Sequence, residues 1–252
     1  MSRTAAHRAI AVLTPVVLLL LWELAARAQW IDPRFFSSPL RIFAEFYAMT
    51  ASGELLDHTW VSLVRVLIGF AIGTAAGVVL GLGIGLFPTV SALFKPLIDA
   101  TFPIPKVGLL PLVIILFGLG EASKYAIIAL SVFYLIVINT AAGVHQIERI
   151  YLDVGRNYRA GRLMMFTDVA LPGALPSILT GMKVGMGVSL IIIVTAESLA
   201  AKSGIGFLIW TSWQVFEVEK MYVGLFVSAL LGFALAAILD WIERRLVPWE
   251  GR

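Results

Sequence analysis

Six apolar stretches, each close to the length a bilayer demands, limit this chain to one class of fold. A spanning helix needs about 20 mostly apolar residues, and the runs at 9–26, 66–87, 93–118, 125–144, 178–196 and 221–239 come near that length. Lipid offers no water to a backbone N–H or C=O, so each run must be helical. Composition agrees: 60% of the 252 residues are hydrophobic and 14% charged, against roughly 25% charged in a soluble domain. The expectation is an all-α membrane protein of one domain, residues 1–252, with five or six transmembrane helices. The third run is the irregular one. It opens in FPIPKVGLLP (102–111), where Pro103, Pro105 and Pro111 remove backbone donors and crowd the preceding turn, so it should be broken or kinked.

Orientation follows from Lys and Arg, which collect in cytoplasmic loops. With a cytoplasmic N-terminus, Arg3, Arg8, Lys95, Lys106, Arg149, Arg156, Arg159, Arg162, Lys183, Arg244, Arg245 and Arg252 fall inside, most of the 19 basic residues. Arg27, Arg34, Arg41, Arg65, Lys124, Lys202 and Lys220 fall outside or near the outer boundary. Both termini are therefore expected in the cytoplasm. A rival stands at the N-terminus: Arg3, Arg8, the first apolar run and Ala26-Arg27-Ala28 imitate a cleavable signal peptide. The length of the run, with Glu23 and Arg27 just before the supposed cut, favours a retained first helix.

Residues 28–62 read as a polar outer loop. Ser38-Pro39 resembles an N-cap followed by proline at the first helical position. Ile42, Phe43, Phe46 and Tyr47 then share a face, which fits an interfacial amphipathic helix or a short packed one. The second span carries Gly69, Gly73, Gly77, Gly81 and Gly85, one at every fourth position. Such a stripe lets another backbone come close, within the chain or across two protomers, and Gly181 and Gly185 repeat the theme on the fifth span.

Several chemistries are excluded. The chain has no cysteine, hence no disulfide or thiolate metal site. It has no G-x-x-x-x-G-K-[ST] loop, so it should bind no ATP itself, and His7, His58 and His145 lack metal-ligand spacing. The net charge of +3 is not gathered on one face, so no nucleic-acid partner is expected. Intramembrane charges mark pathways, and Glu197 is the best case. It serves either the pathway or its outer gate, or a structural hydrogen bond to the turn at 200–207. Lys183 fits snorkelling to the inner surface. Asn139, Ser189 and Thr195 could line a small polar path, although Ser and Thr commonly bond their own helix backbone.

The most telling loop lies at 145–176. Residues 150–158 and 162–168 read as two short helical stretches broken around Ala160-Gly161, after which Pro172 and Pro176 stop them and redirect the chain into the fifth span. A rigid elbow along the membrane surface would transmit force into the spans. Its arginines, with Tyr151, Met164, Met165 and Phe166, offer charge and apolar knobs to a soluble partner.

Here the sequence resembles the permease subunits of bacterial ABC importers, closest to their nitrate/sulfonate/taurine branch. Such permeases carry E-A-A-x-x-x-G, nine residues, then I-x-L-P. Aligning Val169-Ala170-Leu171-Pro172 on the end places Asp153-Val154-Gly155 on E-A-A and Arg159 on the glycine. Thus the acid is replaced conservatively, the alanines become Val-Gly, and the glycine is lost, with Gly161 two residues on. FGLGEASK (117–124), LPGALPSILTGMKVGMG (171–187), SGIGFLI (203–209) and RRLVPW (244–249) also resemble this branch, in the expected order.

The resemblance implies a type I importer permease (MetI-like) fold in the bacterial inner membrane, working as a homodimer and catalysing no reaction itself. It implies two cytoplasmic ATPase subunits, which would hold ATP and Mg, and a periplasmic or lipid-anchored substrate-binding protein. The cytoplasmic coupling helix would use Asp153, Gly155, Arg156, Arg159, Gly161, Arg162 and Phe166, mounted on Pro172 and Pro176. The solute would be a small anion or zwitterion such as nitrate, an alkanesulfonate or taurine. The alternative is a stand-alone secondary transporter or channel, for which the chain lacks a convincing internal repeat.

Overall fold

The five-glycine stripe finds its partner inside the chain. The computed structural model describes residues 3–248, without the side chains of 3–12, Pro33 and Arg156. Arg156, the first-span residues up to 12, Trp249 and Arg252, all named above, therefore fall wholly or in their side chains outside the described residues. A Cβ on Gly69, Gly77, Gly81 or Gly85 would stand 2.5–2.6 Å from the Cβ of Ile128, Ile136, Thr140 or Val144. The offset along the sequence is the same in all four pairs, so the two helices run parallel and in fixed register.

In chain order the helices are α1 (Arg3–Arg27), α2 (Pro33–Phe36), α3 (Pro39–Ser52), α4 (Glu54–Leu86), α5 (Pro88–Thr101), α6 (Leu110–Phe117) and α7 (Glu121–Gln146). There follow α8 (Arg149–Asn157), α9 (Arg162–Met164), α10 (Leu171–Ala200), α11 (Ile205–Gln214) and α12 (Val218–Leu246). Among the described residues, four helical stretches are long and apolar enough to cross a membrane: Glu54–Leu86, Glu121–Gln146, Arg162–Ala200 and Val218–Leu246.

Parallel α4 and α7 force the chain to travel back between them, and α5 and α6 make that return in two pieces. At 14 and 8 residues they measure about 21 and 12 Å, each too short to span alone. Pro103 and Pro105 fall in the gap, which a 3-10 turn at Val107–Leu109 closes. The run at 93–118 is thus a broken crossing rather than one helix. α4, for its part, starts well before residue 66: Gly53, at φ 85°, ends α3, and Glu54 and Asp57 then favour the N-terminus of α4.

α10 packs antiparallel to α7 and also touches α4, where a Cβ on Gly185 would meet both Val132 and Phe70. A Cβ on Gly181 would lie 2.8 Å from that of Asn139, and one on Gly143 2.7 Å from that of Ser177. α12 continues the layer, antiparallel to α10. The core between these helices joins Val66 and Phe70, Leu110 and Val113, Ile127, Ile128, Val132 and Ile136, Met186, Ile192 and Ile193, and Leu235 and Leu239. On α3, Ser38 caps the N-terminus and Ile42 and Phe46 pack against α11 and α12, while Phe43 and Tyr47 remain exposed.

One expectation about the elbow is overturned. Pro172 and Pro176 stop nothing: the chain is helical without interruption from Arg162 to Ala200. Residues Met165–Ala170 form a wide π turn, and Pro172 sits just inside α10, where a missing N–H is tolerated. The redirection happens earlier, at residues 158–161.

Candidate functional site

Two polar constructions stand at opposite ends of the bundle. At the elbow end, α8 is amphipathic and leaves Ile150, Tyr151 and Val154 exposed. The turn that follows places Arg159 at φ 56°, a left-handed conformation that favours glycine. This is the position aligned above with the motif glycine. Gly155 is buried, and a Cβ there would meet Met165 Sδ at 2.5 Å, so α8 rests on the π turn. A groove beside this contact is lined by Ile147, Tyr151, Val154, Asp168, Val169 and Pro172.

Phe166 is half-buried against Leu82, Val144, Ala174 and Ile178, and so keys the elbow into the ends of α4, α7 and α10. Asp153, Gly161, Arg162 and Pro172 are exposed and Pro176 is half-buried. The named elbow residues thus divide: Asp153, Gly161, Arg162 and Pro172 lie at the surface, while Gly155 is buried and Phe166 packs back into the bundle. The backbone of Arg156 lies in α8.

At the far end Glu197 has no exposed surface. Its carboxylate accepts from Arg65 Nη1 at 2.8 Å, from the Ser62 hydroxyl at 2.8 Å and from the Gly206 N–H at 2.9 Å. Arg65 also makes a two-pronged pair with Glu121, 2.6 Å on each arm, and donates to Ser203 O at 2.6 Å. Ser62 Oγ accepts from the Ile205 N–H at 2.8 Å, and His58 Nδ1 accepts from the Gly204 N–H at 3.0 Å. His58, Ser62 and Arg65 are spaced four and three apart, so one face of α4 receives the turn at 201–206.

Both glycines of that turn are required by contact. A Cβ on Gly204, already at φ 115°, would enter the Glu197 carboxylate, and one on Gly206 would enter Val194 O. Glu197 therefore meets the turn at 200–207 through its hydrogen bonds and lines no open path in this structure. Isolated buried charges are costly, but here both Glu197 oxygens accept and all three Arg65 nitrogens donate. The sequence reading missed Arg65, Glu121, Ser62 and His58. The available signal was the i, i+4, i+7 polar face at the start of an otherwise apolar helix.

The other polar candidates bond their own helices. Ser189 donates to Met186 O at 2.6 Å, Thr195 to Ile191 O at 2.9 Å and Asn139 to Leu135 O at 2.8 Å. They are not brought together with Glu197. Lys183 binds Asp240 and Glu243, each at 2.5 Å, and ties α10 to α12. Among the described residues no cluster of His, Asp and Glu could hold a metal ion.

Comparison with known proteins brings these observations together. The family described as binding-protein-dependent transport system inner membrane component matches residues 73–248. The chain is 32% identical over 243 residues to a taurine transport system permease protein of Escherichia coli K12, covering 94% of this chain and 88% of that protein. It is 34% identical over 236 residues to a putative aliphatic sulfonates transport permease protein of the same organism, covering 94% and 90%. A nitrate import permease protein of Leptolyngbya laminosa is 32% identical over 243 residues, covering 93% and 86%. In fold, the chain is similar to an inward-facing structure of the MetNI methionine ABC transporter, with a TM-score of 0.65 and 16% identity over 75% of this chain and 94% of that one.

Proposed function

The chain belongs to the family of binding-protein-dependent transport system inner membrane components, and from that premise we propose that it imports a small anion or zwitterion of the sulfonate, taurine or nitrate type. It does so as one of two identical permease subunits in the bacterial cytoplasmic membrane. Two ATPase subunits, which hold the ATP and Mg, dock on the elbow, and a binding protein delivers solute at the far end. The chain itself catalyses no reaction.

The observation that carries this reading is the unbroken helix from Arg162 to Ala200. One of its ends is joined to α8 by the Gly155–Met165 contact, and the other is locked by Glu197 to the turn that faces the binding protein. Movement imposed on α8 and α9 therefore reaches the far end without loss in a flexible joint. Arg149, Arg159 and Arg162 share their end of the bundle with Arg244 and Arg245, which supports a cytoplasmic elbow and C-terminus.

The test is reconstitution in proteoliposomes with the ATPase and binding protein that purify with the chain. Uptake of labelled taurine, an alkanesulfonate or nitrate should require both partners and ATP. Replacing Asp153 or Arg162 should depress uptake and substrate-stimulated ATP hydrolysis while membrane insertion stays normal. Uptake without ATP, down a gradient, would overturn the importer reading, and a reporter fused after Arg252 that reads periplasmic would overturn the orientation.

A further inference from the structure

The broken crossing between α4 and α7 holds a cation level with the middle of α7, not at the inner boundary where charge counting alone put Lys106. Lys106 Nζ lies 4.3 Å from the centre of the Tyr134 ring, and Tyr134 is the central residue of the 26-residue α7. That helix is about 39 Å long and the hydrocarbon core about 30 Å thick, so Tyr134 marks the midplane. α5 climbs to the same level: Val90 and Ile98 share one cluster with Phe133, Tyr134, Val137 and Ala141, and Thr101 Oγ1 accepts from the Tyr134 hydroxyl at 2.9 Å.

At that level the chain is not helical, and it is open to its surroundings. Phe102, Pro103, Ile104, Pro105, Val107 and Gly108 are all exposed. Irregular backbone at membrane depth is found only where other protein covers it or where it lines a water-filled cavity. Lipid is therefore excluded from this face. Lys95 and Asp99, an exposed ion pair on α5 just below the break, point the same way, because intramembrane charges face the interior or an aqueous cavity.

We propose that residues 102–108 line the translocation pathway and that Lys106 is the midplane station that attracts the anionic group of the solute. This rests on the importer reading and adds a residue and a charge sign to it. The chemistry suits passage rather than capture. Lys106 donates to Phe102 O at 2.8 Å, Ile104 O at 2.7 Å and Thr101 O at 3.3 Å, which engages all three ammonium protons. Among the described residues no carboxylate pairs with it. The break thus presents positive charge with its hydrogen bonds already made. A sulfonate or nitrate is drawn to the site by charge and released without breaking a tight hydrogen-bonded grip, the balance that conduction requires.

Two measurements decide the matter. The chain contains no cysteine, so Val107→Cys can be labelled alone with a membrane-impermeant maleimide in the assembled transporter in vesicles. Water lining predicts rapid labelling; failure to label, with a surface cysteine labelling normally, places the break in a dry contact and overturns the proposal. The second compares Lys106→Gln and Lys106→Arg for uptake of a net-anionic alkanesulfonate and of zwitterionic taurine. A charge station predicts that Lys106→Gln loses about tenfold more on the anion than on the zwitterion, while Lys106→Arg keeps the wild-type ratio. Equal loss on both solutes makes Lys106 a helix-end cap and overturns the station. Should the wild-type complex carry none of these solutes, the importer assignment fails on that result, while the labelling still decides whether the break is wet.

Discussion

Arg65 and Glu197 face each other across 2.8 Å with 4% and 0% of their side-chain surfaces exposed. They come from helices distant in sequence, and together they hold the turn that leads into α11. Removing one partner of such a pair leaves the other charge buried and unmatched, at a cost of about 3–5 kcal/mol. Arg65→Met is therefore expected to lower the thermal midpoint of the detergent-solubilised protein sharply. The double variant Arg65→Met/Glu197→Met should recover much of the loss, because it leaves no orphaned charge in the core. Equal melting of the single and double variants would refute the pairing account.

The glycine stripe makes a prediction by contrast. Gly77→Ala and Gly83→Ala both gain helix propensity of about 1 kcal/mol. At Gly77 the new Cβ meets Ile136 Cβ at 2.6 Å, whereas at Gly83 the nearest atom, Val90 Cγ1, is 3.4 Å away. The α4–α7 seam is close-packed, so overpacking should cost about 1–3 kcal/mol at Gly77. Gly83→Ala should melt near or above the parent and Gly77→Ala below it; the reverse order would show that the two helices do not meet as described.

Arg159 occupies a left-handed conformation at φ 56°, which costs a residue other than glycine about 1 kcal/mol or more. Arg159→Gly should slow proteolysis at the elbow, and Arg159→Val, with a branched Cβ, should accelerate it. Were both variants cut at the parental rate, the turn at 158–161 would not govern the order of the elbow.

The sequence revealed some of this directly. Period-four glycine announces close packing, and three prolines in ten residues announce a broken crossing. What stayed hidden depends on pairing at a distance. Nothing on α7 marks it as the partner of the stripe, because only one of the two helices needs to be smooth. Arg65 reads as a boundary residue until Glu121, Glu197 and Ser203 O converge on it. Pro172 was misread because the π turn at Met165–Ala170 relaxes the pitch just before it, and Pro176 because α10 runs on through it. At the elbow, the turn at Arg159 was legible from motif spacing, while the inward turn of Phe166 required the folded chain.

The close contact of Gly181 with Asn139 falls midway along the uninterrupted helix Arg162–Ala200. Each arm measures roughly 28 Å, so a rod rocking on that contact is a first-class lever with a mechanical advantage near one. Displacement at one tip reappears at the other at nearly full size and with its direction reversed. Were two copies of the proposed permease to have their elbows drawn together, their opposite tips would swing apart, and a small convergence on one side of the membrane would become an opening of similar width on the other.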